Sequence, residues 1–117
     1  MKEVVGKAAV PLSPAVKTEE YVFVSGQVPT QPDGTVQGDI KEQTALCLDK
    51  IKELLEKSGT SMKQVVKTTV FITDVQDFQA MNEAYSRYFP EDPPARSCVR
   101  ADLVIDAKVE IEAIALR

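Results

Sequence analysis

The strands this sequence can form are apolar on both sides, and that limits what the chain can fold into more than any other feature. In Tyr21-Val22-Phe23-Val24-Ser25, Val22 and Val24 point one way and Tyr21 and Phe23 the other; near the C-terminus Val109 and Ile111 oppose Ile114 and Leu116. Successive side chains of a strand alternate between faces, so a sheet made of these strands needs cover on both. The sequence supplies two amphipathic helices, enough for one face, and the other is expected to pack against further copies of the chain. The alternative is a thin, helix-capped monomer with valines left in water. A chain of 117 residues buries about two-thirds of the surface its unfolded form exposes. One domain over residues 1–117, its core extended through subunit contacts, is the expected organisation.

The segment Lys7-Ala8-Ala9-Val10-Pro11-Leu12-Ser13-Pro14 holds two prolines, which cannot sit inside a helix and resist pairing in a central strand, so it reads as an extended surface arm. Tyr21 to Ser25 is a strand ending at Gly26, and Pro32-Asp33-Gly34 is a turn. From Asp39 the period changes. Asp39 and Glu42 have capping-box spacing, and Thr44, Cys47, Leu48, Ile51, Leu54 and Leu55 recur at helical intervals up to a stop at Gly59. Val65 to Thr73 is a further strand. Asp74 or Asp77 opens a second helix bearing Phe78, Met81, Tyr85, Tyr88 and Phe89, which Pro90 ends. Two strands follow, Ala95 to Ala101 and Lys108 to Leu116, joined by a short loop around Asp106. The expected order is β-β-α-β-α-β-β, an α+β fold with both helices on one face of the sheet.

Composition removes several classes of function. Eighteen acidic residues against 14 basic ones leave a net charge of −4, and no Lys/Arg run forms the stripe that phosphate backbones require, so nucleic acid is not expected as a partner. With no histidine in the chain, the Ser-His-Asp arrangement and histidine-based metal sites are excluded. Acid–base work falls to carboxylates, Tyr, Cys, Lys or water. Met1 to Gly6 leads into no apolar stretch, and nothing approaches the roughly 20 apolar residues of a membrane-spanning helix. A cytoplasmic location, away from membranes and with Cys47 and Cys98 reduced, is the expectation.

Arg96 stands in Pro93-Pro94-Ala95-Arg96-Ser97-Cys98-Val99, where two prolines deliver the chain into a short apolar strand. A guanidinium there needs a partner, and its planar donor fork suits a carboxylate. A surface arginine or a structural salt bridge explains it equally well on chemistry alone. Glu110 and Glu112 share one side of a strand with Ile114 and Leu116. A carboxylate among apolar neighbours has a raised pKa and can orient or deprotonate water, whereas Glu112 by itself reads better as a cross-sheet ion-pair partner. Cys98, two residues beyond Arg96, shares its face; with no histidine to activate it, it reads as a small buried hydrophobe, and Cys47 as core. Asn82 is either a helix-surface amide or a group facing a ligand. Ser25-Gly26-Gln27 is either a turn or a place where the backbone meets a small ligand closely.

Pro94-Ala95-Arg96-Ser97-Cys98-Val99 followed by Val109-Glu110-Ile111-Glu112-Ala113-Ile114-Ala115 resembles the signature of the RidA/YjgF family of reactive-intermediate deaminases, earlier described as endoribonucleases or translation inhibitors. Val24-Ser25-Gly26-Gln27-Val28-Pro29, Val66-Lys67-Thr68-Thr69-Val70-Phe71 and Met81-Asn82-Glu83-Ala84-Tyr85 resemble its other segments in the same order, so the likeness spans nearly the whole chain. The resemblance implies a chorismate-mutase-like fold, two helices on a mixed sheet, assembled as a homotrimer with clefts between subunits. The last two strands look like a hairpin, but in the family they are not neighbours, which brings Arg96 and Glu110 together only across a subunit boundary.

The implied activity is hydrolysis of 2-imino acids and their enamines, such as 2-iminobutanoate and 2-iminopropanoate, to 2-keto acids and ammonia, without metal or organic cofactor. Arg96 would clamp the substrate carboxylate and Glu110 would activate the water, while Ser25, Gly26, the backbone around Cys98 and Asn82 would line the cleft. Two departures bear on substrate preference. Ala15 stands where the family often has a tyrosine, and the loop from Ala101 to Ala107 lacks the usual Leu-Pro. The same residues also fit a non-catalytic module that binds or senses small 2-keto carboxylates; an endoribonuclease fits the acidic, histidine-free composition worst.

Overall fold

Helix α1 (Ile40–Lys57) forms where the apolar spacing lengthens to a helical period. Its N-terminus is closed by the capping box: the Asp39 carboxylate accepts from the Glu42 backbone N–H at 2.9 Å, and the Glu42 side chain accepts from the Asp39 N–H at 3.3 Å. Beyond Lys57, Gly59 takes a φ of +86°, a left-handed geometry that a side chain resists and that ends the helix. Cys47, Leu48, Ile51 and Leu55 are buried along one stripe, with Leu54 at its margin. Each fully buried aliphatic side chain of this kind stabilises the fold by about 1.5–3 kcal/mol.

The computed structural model describes residues 1–117. Its strands are β1 (Glu3–Val5), β2 (Ala15–Lys17), β3 (Tyr21–Gln27), β4 (Val65–Ile72), β5 (Ala95–Arg100) and β6 (Val109–Leu116), and the second helix is α2 (Phe78–Ser86). They make one mixed sheet in the order β1-β2-β3-β6-β4-β5, antiparallel except for the parallel pair β4·β5. This is the expected α+β architecture of two helices on a mixed sheet. The final strand runs through the middle of the sheet, and β4 lies between β5 and β6, so the apparent terminal hairpin is not formed.

Three details differ from the order read off the sequence. Three strands precede α1 where two were expected, because the residues on either side of the arm form β1 and β2, three residues each, which pair with each other at one edge while β2 joins β3. Pro11 and Pro14 fall in the unpaired stretch between them, where prolines cost no ladder bond. Helix α2 ends at Ser86, so Tyr88 and Phe89 lie beyond it in the connection to β5. Strand β3 continues past Ser25 to Gln27 through a register irregularity.

Both helices lie on one side. Val22, Val24, Val70, Val109 and Ile111 face them and are buried. The opposite face is open, with Tyr21, Phe23 and Leu116 at 38, 43 and 40% exposure. The smallest extent of the chain, 21 Å, is the thickness of one sheet plus one helix layer, each about 10 Å. No helix is long and apolar enough to cross a membrane.

Candidate functional site

Strand β5 sets the position of Arg96. In the parallel pair with β4, Arg96 lies beside Thr68 and Cys98 beside Val70. Thr68 and Val70 face the helices, so Arg96 and Cys98 do too, as their spacing required. The guanidinium is received by α2. Its Nη1 donates to Asn82 Oδ1 at 2.8 Å, and its central carbon stands 4.9 Å from the centroid of the Tyr85 ring and 5.7 Å from that of Phe78. Phe78, Asn82 and Tyr85 are spaced four and three residues apart, which brings them onto one face of the helix. The Tyr85 hydroxyl shares a 2.6 Å hydrogen bond with Thr68. Arg96 takes part in none of the chain's four ion pairs. A half-buried cation is thus held by an amide and two rings while its charge stays uncompensated, an arrangement suited to a small anion.

Cys98 is half-buried beside it. Burial pushes its thiol pKa up and Arg96 draws it only partly back, so the thiol stays protonated at neutral pH and is a poor nucleophile. Cys47 is wholly buried, as expected, its thiol pushed up to about 12 chiefly by burial.

A second cluster forms around Glu110 on β6. Burial, then the neighbouring Glu112 carboxylate, raise the Glu110 pKa above the ordinary glutamate value. Gly26 lies against it: a methyl group on Gly26 would collide with the Glu110 carboxylate, so only glycine lets that group lie over the strand end. Ser25 is drawn the other way. Its hydroxyl donates to the Ser13 carbonyl at 2.6 Å and its N–H to the Pro14 carbonyl at 3.0 Å, which staples the arm to β3 and leaves the Ser25 oxygen only as an acceptor. Ala15 is buried opposite Val24.

The structure therefore groups the candidates into two sets. Arg96, Asn82 and Cys98 form one; Glu110 and Gly26 form the other, with Ser25 next to Gly26 in the chain but bonded to the arm. Within a chain the sets do not meet. Arg96 is level with Thr68 and so with Ala113, three residues along β6 from Glu110. Two strand spacings and that offset separate their Cα atoms by roughly 14 Å. Their side chains also point to opposite faces, Arg96 toward the helices and Glu110 toward the open side. The aromatic support of Arg96 was not foreseen. Its only signal in the sequence is the spacing of Phe78, Asn82 and Tyr85.

A concavity of about 520 Å³ lies elsewhere, walled by Met62, Tyr88, Phe89 and Pro90. Its rim charges, Lys52, Lys63 and Arg87 against Glu91 and Asp92, are of mixed sign. Size alone does not outweigh the unpaired cation and perturbed carboxylate of the two clusters. No group of three or more Cys, Asp or Glu side chains is placed to hold a metal ion.

A mixed sheet with two helices on one face, an uncompensated arginine on its edge strand and a raised-pKa glutamate on its central strand define the class. The chain belongs to the endoribonuclease L-PSP family, whose model matches residues 3–117, in agreement with the RidA/YjgF likeness of its motifs. It is 46% identical over 110 residues to a RutC family protein of Pyrococcus abyssi, covering 92% of this chain and 87% of the relative. It is 42% identical over 112 residues to the Escherichia coli protein named "Putative reactive intermediate deaminase TdcF", with the same coverage. A crystal structure of TdcF with bound serine superposes with a TM-score of 0.92 at 37% identity, over 98% of each chain. A Thermotoga maritima crystal structure, 46% identical, superposes with a TM-score of 0.95 over 100% of this chain and 98% of the other.

Proposed function

We propose that the protein is a hydrolytic deaminase of 2-imino acids and their enamine tautomers, 2-iminobutanoate and 2-iminopropanoate among them, working in the cytoplasm as a homotrimer. The observation that carries this reading is Arg96: a guanidinium fixed by Asn82 and two rings, with no carboxylate of its own chain. Such a group clamps the carboxylate of a small substrate. Serine bound to TdcF, a small amino acid with that carboxylate, supports the choice of ligand class, and the deaminase description in that relative's name supports the reaction.

The chemistry then falls to Glu110. Its raised pKa suits a carboxylate that takes a proton from water as the water oxygen adds to the imine carbon. Glu110 passes that proton to the nitrogen, and the tetrahedral adduct collapses as the C–N bond breaks; the nitrogen takes the second proton from the adduct hydroxyl and leaves as ammonia, and the carbon keeps the oxygen as a ketone. Imines hydrolyse readily, so orientation by Arg96 and a positioned water supply what the reaction needs, and no cofactor enters. Arg96 and Glu110 lie on different faces of one chain, and the exposed apolar face favours association. The cleft is therefore assigned to the boundary between copies, Arg96 from one and Glu110 from the next.

The test generates 2-iminobutanoate in situ with a threonine dehydratase in the presence of semicarbazide, which captures the imine. The protein is expected to divert imine to keto acid and lower the adduct yield. Arg96→Ala is expected to abolish this while leaving the oligomer intact. An unchanged adduct yield with wild-type protein defeats the reading.

A further inference from the structure

We infer that Tyr85, anchored by Thr68, is the positioning residue that sets the plane of the Arg96 guanidinium. The inference rests on the proposed role of Arg96 as the carboxylate clamp and adds to it what holds the clamp in place.

The contacts form a closed circuit. Arg96 and Thr68 are register partners on neighbouring strands. Thr68 reaches back from that position to the Tyr85 hydroxyl at 2.6 Å, and the Tyr85 ring lies 4.9 Å beneath the guanidinium that started the loop. An arginine on an edge strand otherwise has its side-chain rotamer freedom to lose on gripping a ligand. One hydrogen bond, to Asn82, fixes a point on the fork but not its plane; the ring face fixes the plane. The ring can do so only if it does not swing, and two contacts hold it: the Thr68 bond at its tip and the Phe89 ring 4.8 Å away. Thr68 and Tyr85 are both buried, so each hydroxyl has the other as its polar partner, and removing either leaves its mate unsatisfied in a dry environment. Phe78 lies farther from the cation and is more exposed, with no comparable anchor. Tyr85 is thus a support for a group that touches substrate, not itself a catalytic residue.

Three variants test this: Tyr85→Phe, which keeps the ring and frees it; Thr68→Val, which removes the anchor; and the double variant. The first measurement needs no ligand. Nitrogen-15 relaxation of Arg96 Nε reports how tightly the side chain is held, on samples shown to be folded by thermal melting. The second is the Kd for 2-oxobutanoate by calorimetry, with kcat and KM on the imine. Both single variants are expected to lower Arg96 side-chain order and weaken 2-oxobutanoate binding about three- to tenfold, as loss of one hydrogen bond allows. The double variant is expected to be no worse than the weaker single one, and kcat to change less than KM. Unaltered Arg96 order in folded Tyr85→Phe and Thr68→Val overturns the inference and makes the pair purely structural. Should order fall in the variants while wild-type protein binds no 2-oxobutanoate, the positioning role stands and the carboxylate reading fails.

Discussion

Glu110 is held where its charge is opposed from two directions, by partial burial and by Glu112, and this has opposite consequences for stability and for catalysis. A carboxyl whose folded-state pKa exceeds its value of about 4.3 in an unfolded chain favours the folded state at low pH. That contribution is complete below the unfolded value and is lost as pH rises through the raised folded value. The proposed base, in contrast, works only when deprotonated, so turnover should rise over the same interval. The acid limb of kcat is therefore expected above the ordinary glutamate value of 4.5. Glu110→Gln is expected to lose turnover, keep its affinity for 2-oxobutanoate, and flatten the fall in thermal stability with rising pH. Full activity in Glu110→Gln takes the water-activating role from this residue, and unchanged binding with lost turnover separates an enzyme from a mere carboxylate receptor. Strand alternation was enough to mark Glu110 as a carboxylate among apolar neighbours. Its contact with Gly26, and the ring under Arg96, join residues far apart in the chain, and no local pattern carries such pairings.

Helix α1 shows what local chemistry can specify. The capping box and the helical recurrence of Cys47, Leu48, Ile51 and Leu55 lie within one segment, so the helix and its start are readable before any tertiary contact is known. Asp39→Ala removes the acceptor for the Glu42 N–H and is expected to destabilise the protein by about 1 kcal/mol. At this chain length that lowers Tm by about 3–6 °C, and differential scanning calorimetry at neutral pH checks it; kcat should not move, since α1 carries no group of either cluster. β1 and β2 were hidden for the opposite reason. Three-residue strands at a sheet edge have too few alternating positions to signal themselves, and their prolines mark only the unpaired stretch between. Likewise the last two strands suggest a hairpin because they are close in sequence. Insertion of β6 between β3 and β4 is decided by the burial of Val109, Ile111, Ala113 and Ala115 on both flanks, a property of the completed sheet.

For the molecule as a whole the two-sided apolar strands were the most informative feature, and the open face with Tyr21, Phe23 and Leu116 is its structural counterpart. In one chain that face is in water, so a charge placed there should leave the subunit folded while opposing association. Phe23→Lys is expected to retain the circular-dichroism spectrum, to sediment near the 12.9 kDa of a single chain where the proposed wild-type trimer is expected at three times that mass, and to lose the proposed deaminase activity. A Phe23→Lys protein that stays assembled and active places the interface elsewhere. The order β3-β6-β4-β5, which keeps Arg96 and Glu110 on different faces of the same polypeptide, also has a genetic corollary. In the proposed assembly two alleles, one lacking the arginine and one lacking the glutamate, are each expected to be inert alone; co-expressed, they are expected to rebuild intact clefts wherever a sound edge from one product meets a sound centre from the other, so that the crossed strain regains what both parents lack.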